Sequence, residues 1–199
     1  MSVFTTAKQE VWRQFSEAVS GKFIEERLTG NISVEVIHEP WHIILDTSEA
    51  GRHEEGYYST LLRAPIVNPD GFRFKVHKEG FMSRIGKTAG SKDLDTGEQS
   101  FDKAFILKCE QKEKGLVIFQ NKEIQHLMMK LKNIHFEIKD SEGTFGPKFS
   151  ADEDELVLEM NGIITNVAML EDLLHLFSIT LDTLVENGYI LAKPPMTHI

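Results

Sequence analysis

Two rhythms of apolar residues alternate along this chain. Val11, Phe15 and Val19 recur at intervals of four, with Trp12 and Ala18 beside them. That is the stripe of a helix lying on a core. Thr6 followed by Gln9 fits a capping box, so the spacing predicts a helix from near Thr6. It stops at Gly21 or runs on through Phe23 and Ile24. The rhythm then shortens. Ser33–Ile37, Trp41–Leu45, Tyr57–Leu62 and Phe72–Val76 are rich in β-branched and aromatic residues, which predicts strands. Phe72, Phe74 and Val76 alternate with Arg73, Lys75 and His77, the pattern of an antiparallel sheet with one side in water. Asn68-Pro69-Asp70-Gly71 is a turn signal, and short polar connections of this kind favour antiparallel neighbours.

Further on, Ser83–Gln99 reads as a loop and Phe101–Cys109 as a strand. Asn121 is placed to cap a short helix whose inner positions are Ile124, Leu127, Met128 and Leu131, ending by Asn133. Ile134, Phe136 and Ile138 alternate, Ser141-Glu142-Gly143 turns, and Leu156, Leu158 and Met160 alternate again. The last element, Asn166–Asn187, is a helix with Val167, Leu170, Leu174, Phe177, Leu181 and Leu184 in one stripe. Met169, Leu173, Leu176 and Ile179 widen that stripe, and Gly188 stands where a helix C′ residue belongs. The order of elements predicts the α+β class: an antiparallel sheet with N-terminal and long C-terminal helices packed on it. One domain over 1–199 is expected, with Lys112–Gly115 the place for a boundary if there are two halves.

Composition adds little to this picture, and charge adds more. The chain is 41% hydrophobic and 27% charged, ordinary for a globular protein. Its single cysteine, Cys109, excludes an intrachain disulfide and suits a reducing, cytoplasmic compartment. No basic start followed by an apolar run marks a signal peptide, and no long apolar stretch marks a membrane span. The net charge of −9 argues against nucleic acid as a partner. Yet residues 63–92 hold seven Lys/Arg and two Asp/Glu, a balance of +5 that leaves −14 on the rest.

Several motifs fail on their context. His38-Glu39-Pro40-Trp41-His42 has the letters of a helical zinc motif, but Pro40 and strand-like flanks forbid the helix that brings two His to one face. In an extended chain those His would stand about 13 Å apart, so a bent or turning strand junction is expected instead. Gly86-Lys87-Thr88 resembles the end of a phosphate-binding loop, yet Phe81 stands where the first glycine belongs. Asp152-Glu153-Asp154-Glu155 lacks the spacing of a calcium loop and reads as a solvated loop. Cys109 has no CxxC partner and reads as a buried, inert thiol. The polar loop Gly51–Gly56 holds His53, Glu54 and Glu55, acid–base types common in any loop.

The basic segment is the remaining candidate. Arg73, Lys75 and His77 share one side of a predicted strand, and Arg84 and Lys87 follow in a glycine-bearing loop. Such a surface suits an anionic small molecule or an acidic peptide. The plainer alternative is a solvated face whose positive charges discourage edge pairing. Trp41…Leu45-Asp46, Leu62-Arg63-Ala64-Pro65, Asp70-Gly71-Phe72-Arg73-Phe74, Ile85-Gly86-Lys87 and Phe101-Asp102…Phe105-Ile106 together resemble a group of uncharacterised bacterial proteins, over about half the chain. The sequence departs from that group at Ser59-Thr60. The resemblance implies a bacterial cytoplasmic protein and no particular chemistry. The expected function is a non-enzymatic binding or interaction domain with an anion-facing basic surface, with no cofactor and no metal. The alternative is a hydrolase or transferase using His53, Glu54 and Glu55. The apolar surplus of the C-terminal helix points to a homodimer formed through it.

Overall fold

The structure is a computed structural model and describes residues 3–26, 29–49, 58–78, 94–140 and 152–196. Helix α1 (Val3–Ala18) opens the chain. Strands β1 (Lys22–Glu25), β2 (Ile32–His38), β3 (Trp41–Glu49) and β4 (Tyr58–Val67) then form a meander. Strand β5 (Phe74–Lys78), helix α2 (Gln99–Ala104), strand β6 (Phe105–Cys109) and helices α3 (Lys112–Phe119) and α4 (Lys122–Leu131) follow. Strands β7 (Ile134–Lys139) and β8 (Glu153–Asn161) lead into helix α5 (Val167–Glu186). The strands make one eight-stranded sheet in the order β1-β2-β3-β4-β8-β7-β5-β6, with every pairing antiparallel. The fold is α+β, as the alternation predicts.

Period two decides which face is covered. Val34, Val36, Ile43, Leu45, Leu62, Leu158, Phe136 and Val76 all point to one face and are buried. Trp12 and Phe15 of α1, Ile124 and Met128 of α4, and Leu173, Phe177 and Leu181 of α5 close over them. Packing binds α5 to α4, α1, α3 and β4. Leu173 and Leu176, part of the surplus that suggested a second copy, are fully buried in this layer, while Met169 stays 37% exposed.

Helix ends follow their caps. Asn121 Oδ1 accepts from the N–H groups of Glu123 and Ile124, and Asn166 Oδ1 from that of Met169. At the end of α5, Gly188 (φ +70°) donates to the Val185 carbonyl and Tyr189 to that of Leu184, the bond pattern of a Schellman stop.

Four local expectations are corrected. Helix α1 begins at Val3, so Thr6 is not its cap, and Phe23 and Ile24 lie in β1 because the chain turns at Ser20 and Gly21. The Asn68–Gly71 turn forms, with Phe72 N–H donating to Asn68 Oδ1, but it joins strands that are not neighbours, since β8 and β7 lie between β4 and β5. The first residues of Phe101–Cys109 are helical, because Asp102 accepts from Thr96 and Gly97 and anchors α2. Residues 112–115 form the first turn of α3, where a Cβ on Gly115 would meet Leu94 at 2.9 Å. The acidic run is no solvated loop. Glu153, Asp154 and Glu155 open β8 and are buried.

Candidate functional site: the charged face of the sheet

The face opposite the helices carries a lattice of ion pairs. Asp46 of β3 holds Arg63 of β4 at 2.8 Å, and Arg63 reaches Glu155 of β8 at 3.9 Å. Glu155 in turn holds Lys139 of β7, its register partner, at 3.1 Å. On the same face Lys75 of β5 lies 3.0 Å from Glu137, also its register partner. His135 Nε2 approaches the other oxygen of Glu137 at 3.2 Å. Charges of alternating sign therefore cross strands β3 to β8 and on to β7, and the row through Glu137 extends to β5. Burial pushes the Asp46 carboxyl up, against the pull of Arg63.

Glu137 is the group most altered by its surroundings. Burial alone would raise its pKa, but hydrogen bonding and charge from His135, and then Lys75, outweigh burial and bring it down to about 2. Its folded value lies below the ordinary carboxylate value of 4.5, so the stability it contributes is complete above that value. That contribution disappears as pH falls through about 2. Glu137→Gln is expected to lower stability by on the order of 1–2 kcal/mol at neutral pH, a figure discounted for the partial exposure of the pair. The difference between the two proteins should shrink steadily below about pH 4.5. Urea unfolding at a series of pH values measures this, and a difference independent of pH would refute it.

The sequence-derived site residues disperse on this framework. Lys75 lies on the charged face. Arg73 stands one residue before β5, and its Nη2 and Nε donate to Asp154 at 2.8 and 3.2 Å, with Asp140 at 3.2 Å. Hydrogen bonding from Asp154 raises its pKa further. His77 is 1% exposed, stacked 6.4 Å from its register partner His135, so it does not share a solvated face with Lys75. The physical reason is its neighbour: the β5–β7 register sets the two imidazoles against each other. As an interior strand between β7 and β6, β5 does not set its cations on an edge. Arg84 and Lys87, the loop around Gly86-Lys87-Thr88, the Ser141–Gly143 turn and the loop bearing His53, Glu54 and Glu55 lie outside the described residues.

One residue that belongs with Lys75 was missed. Lys108 of β6 is its direct register partner, so two lysines stand opposite each other on adjacent strands. Alternation in Phe105–Cys109 places Lys108 outward, but only the β5–β6 register brings it to Lys75. Glu137 pairs with Lys75, and among the described residues Lys108 makes no ion pair.

The remaining motifs resolve without chemistry. His38 and Trp41 face each other across the β2–β3 turn, which contains a cis Glu39–Pro40 peptide. His38 bonds Asp182 at 2.8 Å and His42 bonds Glu35 at 2.7 Å, so the two imidazoles serve different partners. Cys109 is buried and its thiol donates to the Gln111 carbonyl, and burial raises its pKa. No group of three or more metal-ligating side chains is gathered among the described residues. No described helix is long and apolar enough to cross a membrane.

No protein-family model matches the chain, and no curated protein sequence matches it. Among solved structures the chain is similar to the crystal structure of the mycobacterial trehalose monomycolate transport factor A, TtfA, with a TM-score of 0.52 and 7% identity. The likeness covers 96% of this chain and 99% of that one. It shows a shared fold running the full length of both.

Proposed function

We propose that this chain is a binding domain rather than an enzyme, and that its ligand-facing surface is the Lys75–Lys108 end of the charged sheet face. The observation that carries this reading is the cross-strand register of the two lysines. Like charges directly opposite in a sheet are unfavourable, and an anion bridging them removes the repulsion. Glu137 pairs with Lys75 at 3.0 Å. Arg73, one residue before β5, is committed to Asp154 and Asp140 and is not part of this surface. The ligand class is a small phosphorylated or carboxylated molecule or an acidic peptide. The fold likeness points the same way, since a protein with a similar fold is named for transport. The unpaired, buried Cys109 suits a cytoplasmic setting.

Thermal shift at low salt against inorganic phosphate, citrate and a short polyphosphate is the test. At least one of these anions is expected to raise Tm. Lys75→Ala/Lys108→Ala should abolish that shift, a loss of about 1–3 kcal/mol of binding per contact. Replacing the exposed Lys103 should leave it nearly unchanged. If no anion moves Tm, or the double variant responds like the parent protein, the reading fails.

A further inference from the structure

The sheet has two outer strands, and they differ. Beyond β6, the N–H of Leu94 donates to the carbonyl of Leu107 at 2.8 Å, so that edge is partly covered. Beyond β1 no described strand pairs. Lys22, Glu25 and Glu26 are exposed there, and Phe23 and Ile24 are half-buried.

We propose that β1 is a self-association edge, and that its occupant is β1 of a second copy of this chain, joined antiparallel about a twofold axis through Ile24. The register follows from three constraints. The first is which groups are free. Glu26 N–H donates to the Asn31 carbonyl and its own carbonyl accepts from Gly30, so Glu26 turns its main chain inward. Alternation then turns Ile24 and Lys22 inward and leaves the main-chain groups of Phe23 and Glu25 facing out. The second is symmetry. A twofold axis joining antiparallel edges must stand perpendicular to the sheet, so opposed residues share a face and the axis passes between the two copies of one residue. The third is use of the free groups. An axis at Phe23 would set Gly21 against Glu25, but the Gly21 N–H is already committed to the Ser16 carbonyl at 2.7 Å. An axis at Ile24 sets Phe23 against Glu25 of the second copy, twice over, for about four main-chain hydrogen bonds.

Side chains complement one another in this register. Ile24 meets Ile24 of the second copy at the closely spaced central pair. Lys22 meets Glu26 of the second copy, twice, and among the described residues Lys22 makes no ion pair within its own chain. On the helix side, Arg13 of α1 lies 4.3 Å over the Phe23 ring, next to the place where Glu25 of the second copy would stand. Opposite charges therefore face each other on both sides of the joint sheet. Charges that would repel a random strand here select this one.

Sedimentation velocity at low salt, up to about 100 µM, tests this, because short edge interfaces are weak and concentration-dependent. A species of twice 22.7 kDa is expected to grow with concentration. Lys22→Glu should weaken it about tenfold, through two lost attractions and two new repulsions. Lys22→Glu/Glu26→Lys should restore it, since the swap rebuilds both pairs. Glu25→Pro, which removes an outward N–H and leaves the β1–β2 bonds intact, should give monomer with an unchanged far-UV spectrum. A parent protein that stays monomeric overturns the proposal. A dimer indifferent to Lys22→Glu and Glu25→Pro overturns it too, and places the contact elsewhere, for instance on the exposed part of α5.

Discussion

Phe136→Ala is expected to cost about 3–5 kcal/mol of folding stability, the largest effect of any single change considered. Phe136 lies at the middle of β7, opposite Leu158 on one side and Val76 on the other. Its ring meets Phe74 edge-on at 5.3 Å and Phe177 of α5 at 6.2 Å. One side chain thus joins three strands to the longest helix, and none of its surface is exposed. Neighbours fixed in a sheet cannot collapse into the space left behind, so the cavity term adds to the lost burial. Phe136→Leu should cost far less, about 1–2 kcal/mol, because it leaves a smaller void. Urea unfolding with an unchanged m-value measures both. A cost under about 1 kcal/mol for the alanine variant would mean this position is not the keystone of the core.

Arg73→Ala is expected to cost about 2–3 kcal/mol, although Arg73 is itself half exposed. A charge on the surface contributes little to stability, and a purely sequence-based estimate would put this substitution near zero. The partner changes the sum. Asp154 is 3% exposed and accepts from Arg73 and from Asn68 Nδ2. Without the guanidinium, a buried carboxylate keeps only the amide as a donor. Arg73→Ala/Asp154→Leu should therefore recover at least half of the loss, because it removes the stranded charge along with its partner. A double-mutant cycle by chemical denaturation reads the coupling directly. Losses that simply add would show that the pair is not coupled.

The same residues mark where sequence reasoning holds and where it stops. Strand faces were legible: Phe74, Val76, Phe136, Ile138, Leu156 and Leu158 alternate, and the sheet buries them as their period requires. Asn121, Asn166 and Gly188 were legible as helix ends because capping is local chemistry. Whatever depends on which strand lies beside which was not. Four consecutive acids look like a solvated loop until Asn68, Arg73, Arg63 and Lys139 converge on them from other elements. Only the β5–β7 register sets His77 against His135, and only the β5–β6 register brings Lys108 to Lys75. Helix α3 escaped because Lys112-Glu113-Lys114-Gly115 has no apolar period and contains a helix-weakening glycine.

The placement of β8 between β4 and β7 also bears on how the chain is made. Strand β4 leaves the ribosome well before its partner in the sheet, β8, which is about a hundred residues further on, as the pairing of Thr60 with Met160 shows. Until β8 arrives, Leu62, Ala64 and Ile66 belong to a strand with one bare side, and β5 waits in the same way for β7. The N-terminal meander can assemble during synthesis, but the centre of the sheet closes only once β8 has been made. Until that seam closes, the nascent chain carries an unpaired, adhesive strand edge at what becomes the centre of the sheet.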